Sequence, residues 1–231
     1  MKDPGLALAY FSALLHTLIT GLSFLFTKTA LVATGPIDVL AFRFTASLMA
    51  LLVLIISKRI HLNYSGKNLL QVFFLALLYP IAFFGFQTFG LVHATSSEGG
   101  ILLSVTPIFT MILAAVFLKE STTVYQKISI TLSVIGMIYI FVMKGAGLDF
   151  KEVLGISLLL LAALVSAGYH IFARVTLRQF TVTEISFIMT LSGFIFFNTF
   201  SAINHMRIGN LDQFFAPLGD TQFIISVLYL G

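Results

Sequence analysis

Two charged residues stand inside or at the start of long apolar runs, where a charge is unfavourable and is commonly retained for function. Arg43 lies about a third of the way into the run over residues 36–56, and Glu98 opens the run over residues 98–118. Arg43 could bind an anionic group such as a carboxylate, or pair structurally with a carboxylate or with carbonyls. Glu98 could exchange protons, or could simply complement a helix dipole. Arg43 is therefore the strongest candidate substrate ligand.

His16 and His170 also fall within apolar runs, the first near the middle of its run. An unperturbed imidazole titrates close to physiological pH, so the two residues suggest a proton relay or a polar contact with substrate. A neutral, hydrogen-bonded histidine in a protein core is the alternative interpretation of each.

Uncharged polar residues and helix-breaking residues supply further candidates. Tyr79, Gln87 and Asn198 could contact substrate, although such side chains more often join neighbouring helices. Pro107 removes a backbone hydrogen bond and is predicted to kink its helix. The Gly99-Gly100 pair permits close approach of a helix or a ligand. Pro107 and the two glycines are therefore candidate hinge positions.

Several catalytic and cofactor chemistries lack their motifs. The chain has no cysteine, which excludes disulfides, Cys-ligated zinc and iron-sulfur clusters. It has no His-Glu-x-x-His segment, and Ser65-Gly66-Lys67-Asn68 lacks the first glycine and the final Ser or Thr of a phosphate-binding loop. Gly21-Leu22-Ser23-Phe24 and Gly155-Ile156-Ser157-Leu158 lack the second glycine of a serine-protease-like segment. We therefore expect no cofactor, no metal and no enzymatic activity. An intramembrane enzyme remains the alternative functional class.

The composition is that of a membrane protein. Hydrophobic residues make up 58% of the chain and charged residues 10%, whereas a soluble domain carries about 25% charged residues. Long apolar runs separate short clusters that hold nearly all the charges, which is the pattern of repeated membrane crossings. The net charge is +4, but the basic residues stand singly in loops, so we expect no nucleic-acid partner.

About 20 predominantly apolar residues cross a bilayer as a helix. This length predicts seven complete helices and the start of an eighth at Phe223, the seven lying over residues 5–27, 36–56, 68–91, 98–118, 123–142, 153–173 and 184–204. A seven-helix receptor is an alternative, although the seventh helix has no lysine for a retinal Schiff base. The Lys and Arg residues outside the helix centres divide eight to four between the two sides, which favours a cytoplasmic N-terminus.

An internal repeat relates the two ends of the chain. Residues 21–39 match residues 167–185 without a gap, and the match aligns Lys28 with Arg174 and Asp38 with Glu184. The shift of 184 − 38 = 146 residues places helix one on helix six, so the copies have opposite orientations in the membrane. Inverted repeats of this kind are typical of secondary transporters. The repeat predicts a ten-helix protein of five plus five helices, with residues 1–145 as the first repeat and 146–231 as an incomplete second.

The segment from Phe89 to Thr110, with Glu98-Gly99-Gly100 near its start and Thr106-Pro107 within it, closes on Phe117-Leu118-Lys119-Glu120. It resembles the fourth helix of the EamA-like family of the drug/metabolite transporter superfamily. The segments Gly21 to Lys28 and Phe42-Arg43-Phe44, and the glycine Gly136, are also similar to that family. The resemblance implies a ten-helix, inverted-repeat carrier of the cell membrane, with both termini cytoplasmic, that moves small metabolites, often outward.

Taken together, these features predict an all-α membrane protein that is a secondary transporter of small metabolites, such as amino-acid-like or other small organic solutes. We expect it to work by alternating access and to export its substrate. The expected partners are a small-molecule solute, protons, the lipid bilayer and a second copy of the chain in a homodimer.

Overall fold

The structure is a computed structural model that describes the backbone of residues 4–60, 62–119, 122–143 and 149–231. In this part of the chain the regular structure is helical, without a β-strand. A 3₁₀ segment, Leu211–Gly219, connects the last two of eight α-helices. The helices are α1 (Pro4–Ala33), α2 (Pro36–Ile56), α3 (Leu69–His93), α4 (Ser96–Phe117), α5 (Val124–Met143), α6 (Phe150–Thr176), α7 (Val182–Ile208) and α8 (Thr221–Leu230).

Six of the described helices, α1 to α4, α6 and α7, are long and apolar enough to cross a membrane. Many large apolar side chains on their outer surfaces are exposed, as expected for a bundle whose solvent is lipid. Helix α5 occupies the predicted fifth span, but its side chains at residues 137 and 140–143 lie outside the described residues. The predicted repeat boundary at residues 145–146 and the residue Glu120 also lie outside them. The chain is a multi-pass membrane protein.

Helix α1 continues six residues beyond its predicted end. The prediction placed the boundary before Lys28, because a lysine commonly marks a loop. Instead, Lys28 Nζ donates hydrogen bonds to the carbonyl oxygens of Leu91 (2.6 Å) and Ala94 (2.8 Å). These carbonyls lie at the C-terminal end of α3, where the last turn of a helix lacks intrahelical donors. The charge of Lys28 therefore serves helix packing, and α1 ends only at Ala33.

Helices α3 and α4 are both interrupted. In α3 the regular pattern breaks over Leu77–Ala82, where Tyr79 has an extended backbone (φ −140°, ψ 109°). Pro80 explains this break, since proline disfavours the helical conformation of the residue before it. In α4 the helix stops at Leu103 and resumes at Thr106, with Pro107 in the first turn of the second half.

The most extensive helix pairs are α3 with α6, α4 with α6, α2 with α7, α3 with α7 and α1 with α8. Glycines allow close approach in two of the pairs. A Cβ added at Gly155 of α6 would lie 2.9 Å from His93 Cβ and 3.1 Å from the Gly90 carbonyl oxygen of α3. A Cβ added at Gly193 of α7 would lie 2.7 Å from Phe44 Cδ1 of α2. These pairs place the polar side chains of α1, α2, α3 and α8 around one internal space.

Candidate functional site

A cavity of about 120 Å³ lies between α1, α2, α3 and α8. It brings together three of the residues predicted to bind substrate, Arg43, Tyr79 and Gln87. Apolar side chains of α1, α3 and α8, including Phe83 and Phe84, complete the wall. The polar part of the lining consists of Thr20, Ser23, Arg43, Tyr79, Gln87 and Tyr229.

Arg43 reaches the cavity from α2 and lies against an aromatic surface. Its Cζ atom is 3.9 Å from the centroid of the Phe84 ring, a cation-π contact. Among the described residues, its guanidinium is part of no ion pair and no hydrogen bond. A structural pair with a carboxylate or with carbonyls, the alternative interpretation of Arg43, is not seen in the described part of the chain. Five N–H donors in a planar fork face a ligand-sized space, and this geometry suits a carboxylate.

Gln87 and Tyr79 reach the same cavity from the two halves of α3. The Gln87 side chain is 2% exposed, and its buried Oε1 atom accepts no hydrogen bond among the described residues. A buried acceptor without a donor costs about 1–3 kcal/mol, so this atom is suited to a ligand N–H. Tyr79 stacks on Phe83 (4.7 Å between centroids) and on Tyr169 (4.8 Å). The break before Pro80 thus places an aromatic ring at the edge of the cavity.

Asn198, also predicted as a substrate ligand, joins two helices instead of lining the cavity. Its Nδ2 atom donates to the carbonyl oxygens of Ala41 (3.3 Å) and Phe194 (2.9 Å), and it lies 3.2 Å from Thr45 Oγ1. These contacts link α7 to α2 midway along the pair. The geometry matches the structural alternative for a polar side chain in a membrane helix.

The two predicted relay histidines lie away from the cavity. His16 of α1 and His170 of α6 both have exposed side chains, so neither is a core histidine. They do lie near each other and near Arg174, close enough for the three groups to interact electrostatically. The structure therefore brings the two histidines together, but neither lines the 120 Å³ cavity.

At the start of α4, Glu98 caps its own helix and Gly99 packs closely against α1. Glu98 Oε2 accepts hydrogen bonds from Thr95 N (2.7 Å) and Thr95 Oγ1 (2.8 Å), which forms a capping box at the helix start. A Cβ added at Gly99 would lie 2.9 Å from Phe24 Cδ1, whereas one at Gly100 would meet open space. The close-approach role thus falls on Gly99, and Pro107 lies exposed just after the interruption of α4.

Sequence reasoning missed a buried acidic cluster where α2 begins and α7 ends, which we name the Asp38 cluster. Asp38 Oδ2 accepts hydrogen bonds from Thr34 Oγ1 (2.9 Å) and from His205 Nε2 (3.1 Å). Its Oδ1 atom accepts one from Ser201 Oγ (2.5 Å). His205 Nδ1 lies 2.9 Å from Asn210 Oδ1. The five members of the cluster are Thr34, Asp38, Ser201, His205 and Asn210.

A second cluster around a buried carboxylate lies at the opposite end of α7, where Glu184 contacts the loop between α2 and α3, and we name it the Glu184 cluster. Glu184 accepts hydrogen bonds from Lys67 Nζ (2.6 Å) and from the Asn63 backbone N–H (3.0 Å), and Tyr64 Oη donates to its carbonyl oxygen (3.0 Å). Burial, with the nearby Glu184 carboxylate, raises the pKa of Tyr64 to about 12, so this phenol stays a neutral donor. The alignment of Asp38 with Glu184 in the internal repeat was the available signal.

A larger cavity, of about 440 Å³, lies between α2, α3, α6 and α7. No polar side chain lines it, and five of its lining residues are phenylalanines of α3 and α7 such as Phe86 and Phe197. It offers no group that would orient a polar ligand. In the described part of the chain, no three His, Asp or Glu side chains are grouped closely enough to bind a metal ion.

The chain is similar to known transporters over most of its length. The model of the EamA-like transporter family matches residues 7–142. An uncharacterized transporter of Bacillus subtilis (strain 168), YcxC, is 43% identical over 223 residues, which cover 96% of this chain and 72% of that protein. An uncharacterized transporter of Archaeoglobus fulgidus is 25% identical over 212 residues, covering 91% and 70% respectively. These matches point to a membrane transporter rather than an enzyme. The helical bundle and the family match together show that the chain belongs to the EamA-like transporter family.

Proposed function

We propose that the protein is a secondary transporter of small organic solutes such as amino acids, and that the 120 Å³ cavity is its substrate site. One observation carries this proposal: an arginine without an internal counter-charge and a buried amide oxygen without a donor share one cavity. An ionisable group kept inside a membrane bundle is a functional candidate by default. The cavity is well below the roughly 300 Å³ of drug-sized pockets, which favours a small solute.

The two polar groups differ in the ligand group that they suit. The Arg43 guanidinium can donate two parallel hydrogen bonds to a carboxylate. Gln87 Oε1 can accept a hydrogen bond from an ammonium group. Because both groups line the same space, a zwitterion satisfies them at once, and the rings of Phe83 and Phe84 are left for its apolar part. An amino acid has this combination of groups.

We also propose the inverted repeat and alternating access. In an inverted repeat, a two-fold rotation exchanges α1 with α6, α2 with α7 and α3 with α8. This rotation maps the contact between α3 and α6 onto the contact between α8 and α1, and it maps the contact between α2 and α7 onto itself. All three contacts are present. The cavity is lined by α1, α2 and α3 from residues 1–145 and by α8 from residues 146–231. A substrate site between two repeats is what rocking of one repeat against the other requires.

The location and direction of transport complete the proposal. The eight-to-four division of basic residues supports a cytoplasmic N-terminus in the cell membrane. In that orientation the Asp38 cluster is at the outer face and the Glu184 cluster at the inner face. We propose export of the solute, with protons, the lipid bilayer and a second copy of the chain as partners.

Counterflow in proteoliposomes tests the proposed function. The vesicles contain the 231-residue chain, are preloaded with one unlabelled solute and are then given the same solute in radioactive form. The solutes are the amino acids together with a panel of simple organic acids and amines. We expect transient accumulation of label for one or more amino acids and none in vesicles made with Arg43→Ala protein. No accumulation for any member of the panel would refute the proposal.

A further inference from the structure

His205, in the last turn of α7, has a hydrogen-bond acceptor at each ring nitrogen. Nε2 lies 3.1 Å from Asp38 Oδ2, and Nδ1 lies 2.9 Å from Asn210 Oδ1. The Asn210 amide has a second contact, from its Nδ2 to Gln213 Oε1 at 3.0 Å. With the amide in this orientation, both ring nitrogens face oxygens that carry no hydrogen. The arrangement suits the doubly protonated imidazolium, in which both ring nitrogens donate.

Asp38 supplies the opposite charge. Its two carboxylate oxygens accept from three donors, Thr34, Ser201 and His205, so the geometry is that of an ionised carboxylate. Both members of the pair are largely buried, with 9% of the His205 side chain and 11% of the Asp38 side chain exposed. The pair thus joins α2 to α7 by a charge-assisted contact shielded from solvent.

Asp38 is the one charged group in the described part of the chain that acts on His205 through its charge. The other neighbours are neutral: Ser201 on the same helix, Thr34 at the end of α1, and Asn210 and Phe214 after α7. The nearby charged residues Arg207 and Asp212 have exposed side chains and do not act on the ring. The charge of the imidazolium is therefore balanced by a single carboxylate.

The Glu184 cluster, related to the Asp38 cluster by the proposed repeat, has a different cation. Its carboxylate binds Lys67 Nζ at 2.6 Å. An ordinary lysine loses its proton only at about pH 10.4, whereas an ordinary histidine does so near pH 6.5. Of the two clusters, only the Asp38 cluster has a basic partner of the type that exchanges protons in the physiological range.

We propose that His205 and Asp38 form a proton-binding site that holds the start of α2 against the end of α7, and that loss of the proton from His205 loosens this end of the pair. A neutral imidazole has one N–H and donates to only one of the two facing oxygens, so the other contact breaks or its amide must turn. The Asp38 carboxylate at the same time loses its counter-charge in a buried setting. The released proton passes to bulk water, and no other group changes its protonation.

In the proposed transport cycle, on which this role rests, the site couples a proton to opening of the outer end. The Glu184 cluster keeps the inner end of α7 attached to the loop between α2 and α3 while the outer end opens. Opening the two ends at different times is the requirement of alternating access. The proton site itself does not depend on any substrate and is tested without one.

The chain contains no cysteine, so spin labels can be attached at chosen positions in the 231-residue protein. The outer pair is Gly35→Cys with Met206→Cys, and the inner pair is Ser65→Cys with Val182→Cys; all four positions are exposed. A side chain at Gly35 meets nothing within 4 Å. Double electron-electron resonance spectroscopy in lipid nanodiscs measures the distance between the two spin labels of each pair. The measurement is repeated from about pH 6 to about pH 9, the range in which histidine side chains commonly titrate.

We expect the outer distance to lengthen by roughly 5 Å, the rise of one helical turn, as the pH is raised, and the inner distance to stay constant. His205→Gln removes the titrating ring, and Asp38→Asn removes its counter-charge, so either variant abolishes the pH dependence. His93→Gln, on α3, is the matched control and keeps it. The proposal would be overturned if the outer distance does not change with pH in the labelled protein without further substitution. It would also be overturned if the outer distance still changes with pH in both His205→Gln and Asp38→Asn.

Nitrogen NMR of labelled histidine provides a second measurement on the same protein. The chain has five histidines, and the signal that disappears in His205→Gln identifies this residue. We expect two ring N–H protons on His205 at the pH where the outer distance is short. A neutral ring at that pH would also overturn the proposal. Neither measurement uses a substrate, so absence of counterflow with a pH-dependent outer distance would refute the transport role alone.

Discussion

Replacing Arg43 and Gln87 one at a time tests the assignment of the substrate groups that each is proposed to bind. Arg43→Met removes the carboxylate partner, and Gln87→Leu removes the ammonium partner, each with a side chain of comparable length. A hydrogen bond to a charged group contributes about 1.5–3 kcal/mol. This loss corresponds to weakening of the dissociation constant by roughly 10- to 150-fold for the amino acid identified by counterflow.

The assay is equilibrium binding of three radioactive ligands to the protein in nanodiscs: the amino acid, its deaminated acid and its decarboxylated amine. Arg43→Met should weaken binding of the amino acid and of the acid, because both carry the carboxylate, and should leave the amine unaffected. Gln87→Leu should weaken the amino acid and the amine but not the acid. Arg207→Met, which removes an exposed arginine at the end of α7, is the matched control and should bind all three ligands normally.

The pattern over the three ligands separates a binding role from a structural one. If Arg43→Met weakens the acid and the amine equally, the variant has altered the shape of the cavity and the carboxylate assignment is wrong. If neither variant changes the binding of any ligand, the substrate site is elsewhere in the bundle. The 440 Å³ apolar cavity would then be the place to search, with apolar solutes as ligands.

Three predictions concern stability in detergent. Gly155→Ala would place a new Cβ 2.9 Å from α3, and this overpacking should lower the free energy of unfolding by about 1–3 kcal/mol and the melting temperature with it. Gly168→Ala, on the same helix, meets open space and should leave the melting temperature unchanged. Equal melting temperatures of the two variants would refute the close α3–α6 contact. Lys28→Met removes the hydrogen bonds from Nζ to carbonyls at the C-terminal end of α3 and should lower the free energy of unfolding in urea by about 1.5–3 kcal/mol. The exposed Lys151→Met should change it by less than about 0.5 kcal/mol. Asn198→Leu should reduce stability to dodecyl sulfate by about 1 kcal/mol, and an unchanged unfolding curve would show that the α2–α7 contacts made by the amide contribute nothing.

The positions of the helices followed from the sequence with small errors. The runs predicted at 36–56 and 184–204 became α2 (Pro36–Ile56) and α7 (Val182–Ile208). The largest error, the end of α1, arose because a lysine was interpreted as a loop signal when it contacts another helix. A charged residue near the end of a membrane helix can either mark the start of a loop or contact a neighbouring helix. Only the groups that the side chain contacts in the structure distinguish these two roles. The family resemblance read from the fourth helix is confirmed by the match over residues 7–142.

The grouping of side chains into sites could be predicted only in part. Arg43, Tyr79 and Gln87 were each singled out from their residue types, but nothing in the sequence indicated that they share one cavity. The contact between Asp38 and His205 joins residues 167 positions apart. The internal repeat had aligned Asp38 with Glu184. This alignment predicted that the two residues hold equivalent positions in the two repeats, but it did not predict the hydrogen-bond partners of either. The histidines predicted as a relay, His16 and His170, are neighbours on an exposed surface, and the histidine with the buried acid is His205.

Insertion into a membrane depends on the summed transfer free energy of about 20 consecutive residues, which is a local property that composition and run length contain. The sequence by itself therefore determined the membrane class, the positions of the spans and the family. Which face of each helix turns inward, and at what depth one helix meets another, depends on packing between segments far apart in the chain. For this reason only the tertiary structure decided that Arg43 faces a cavity with Gln87, that Asp38 joins α2 to α7, and that Glu184 joins α7 to the loop between α2 and α3.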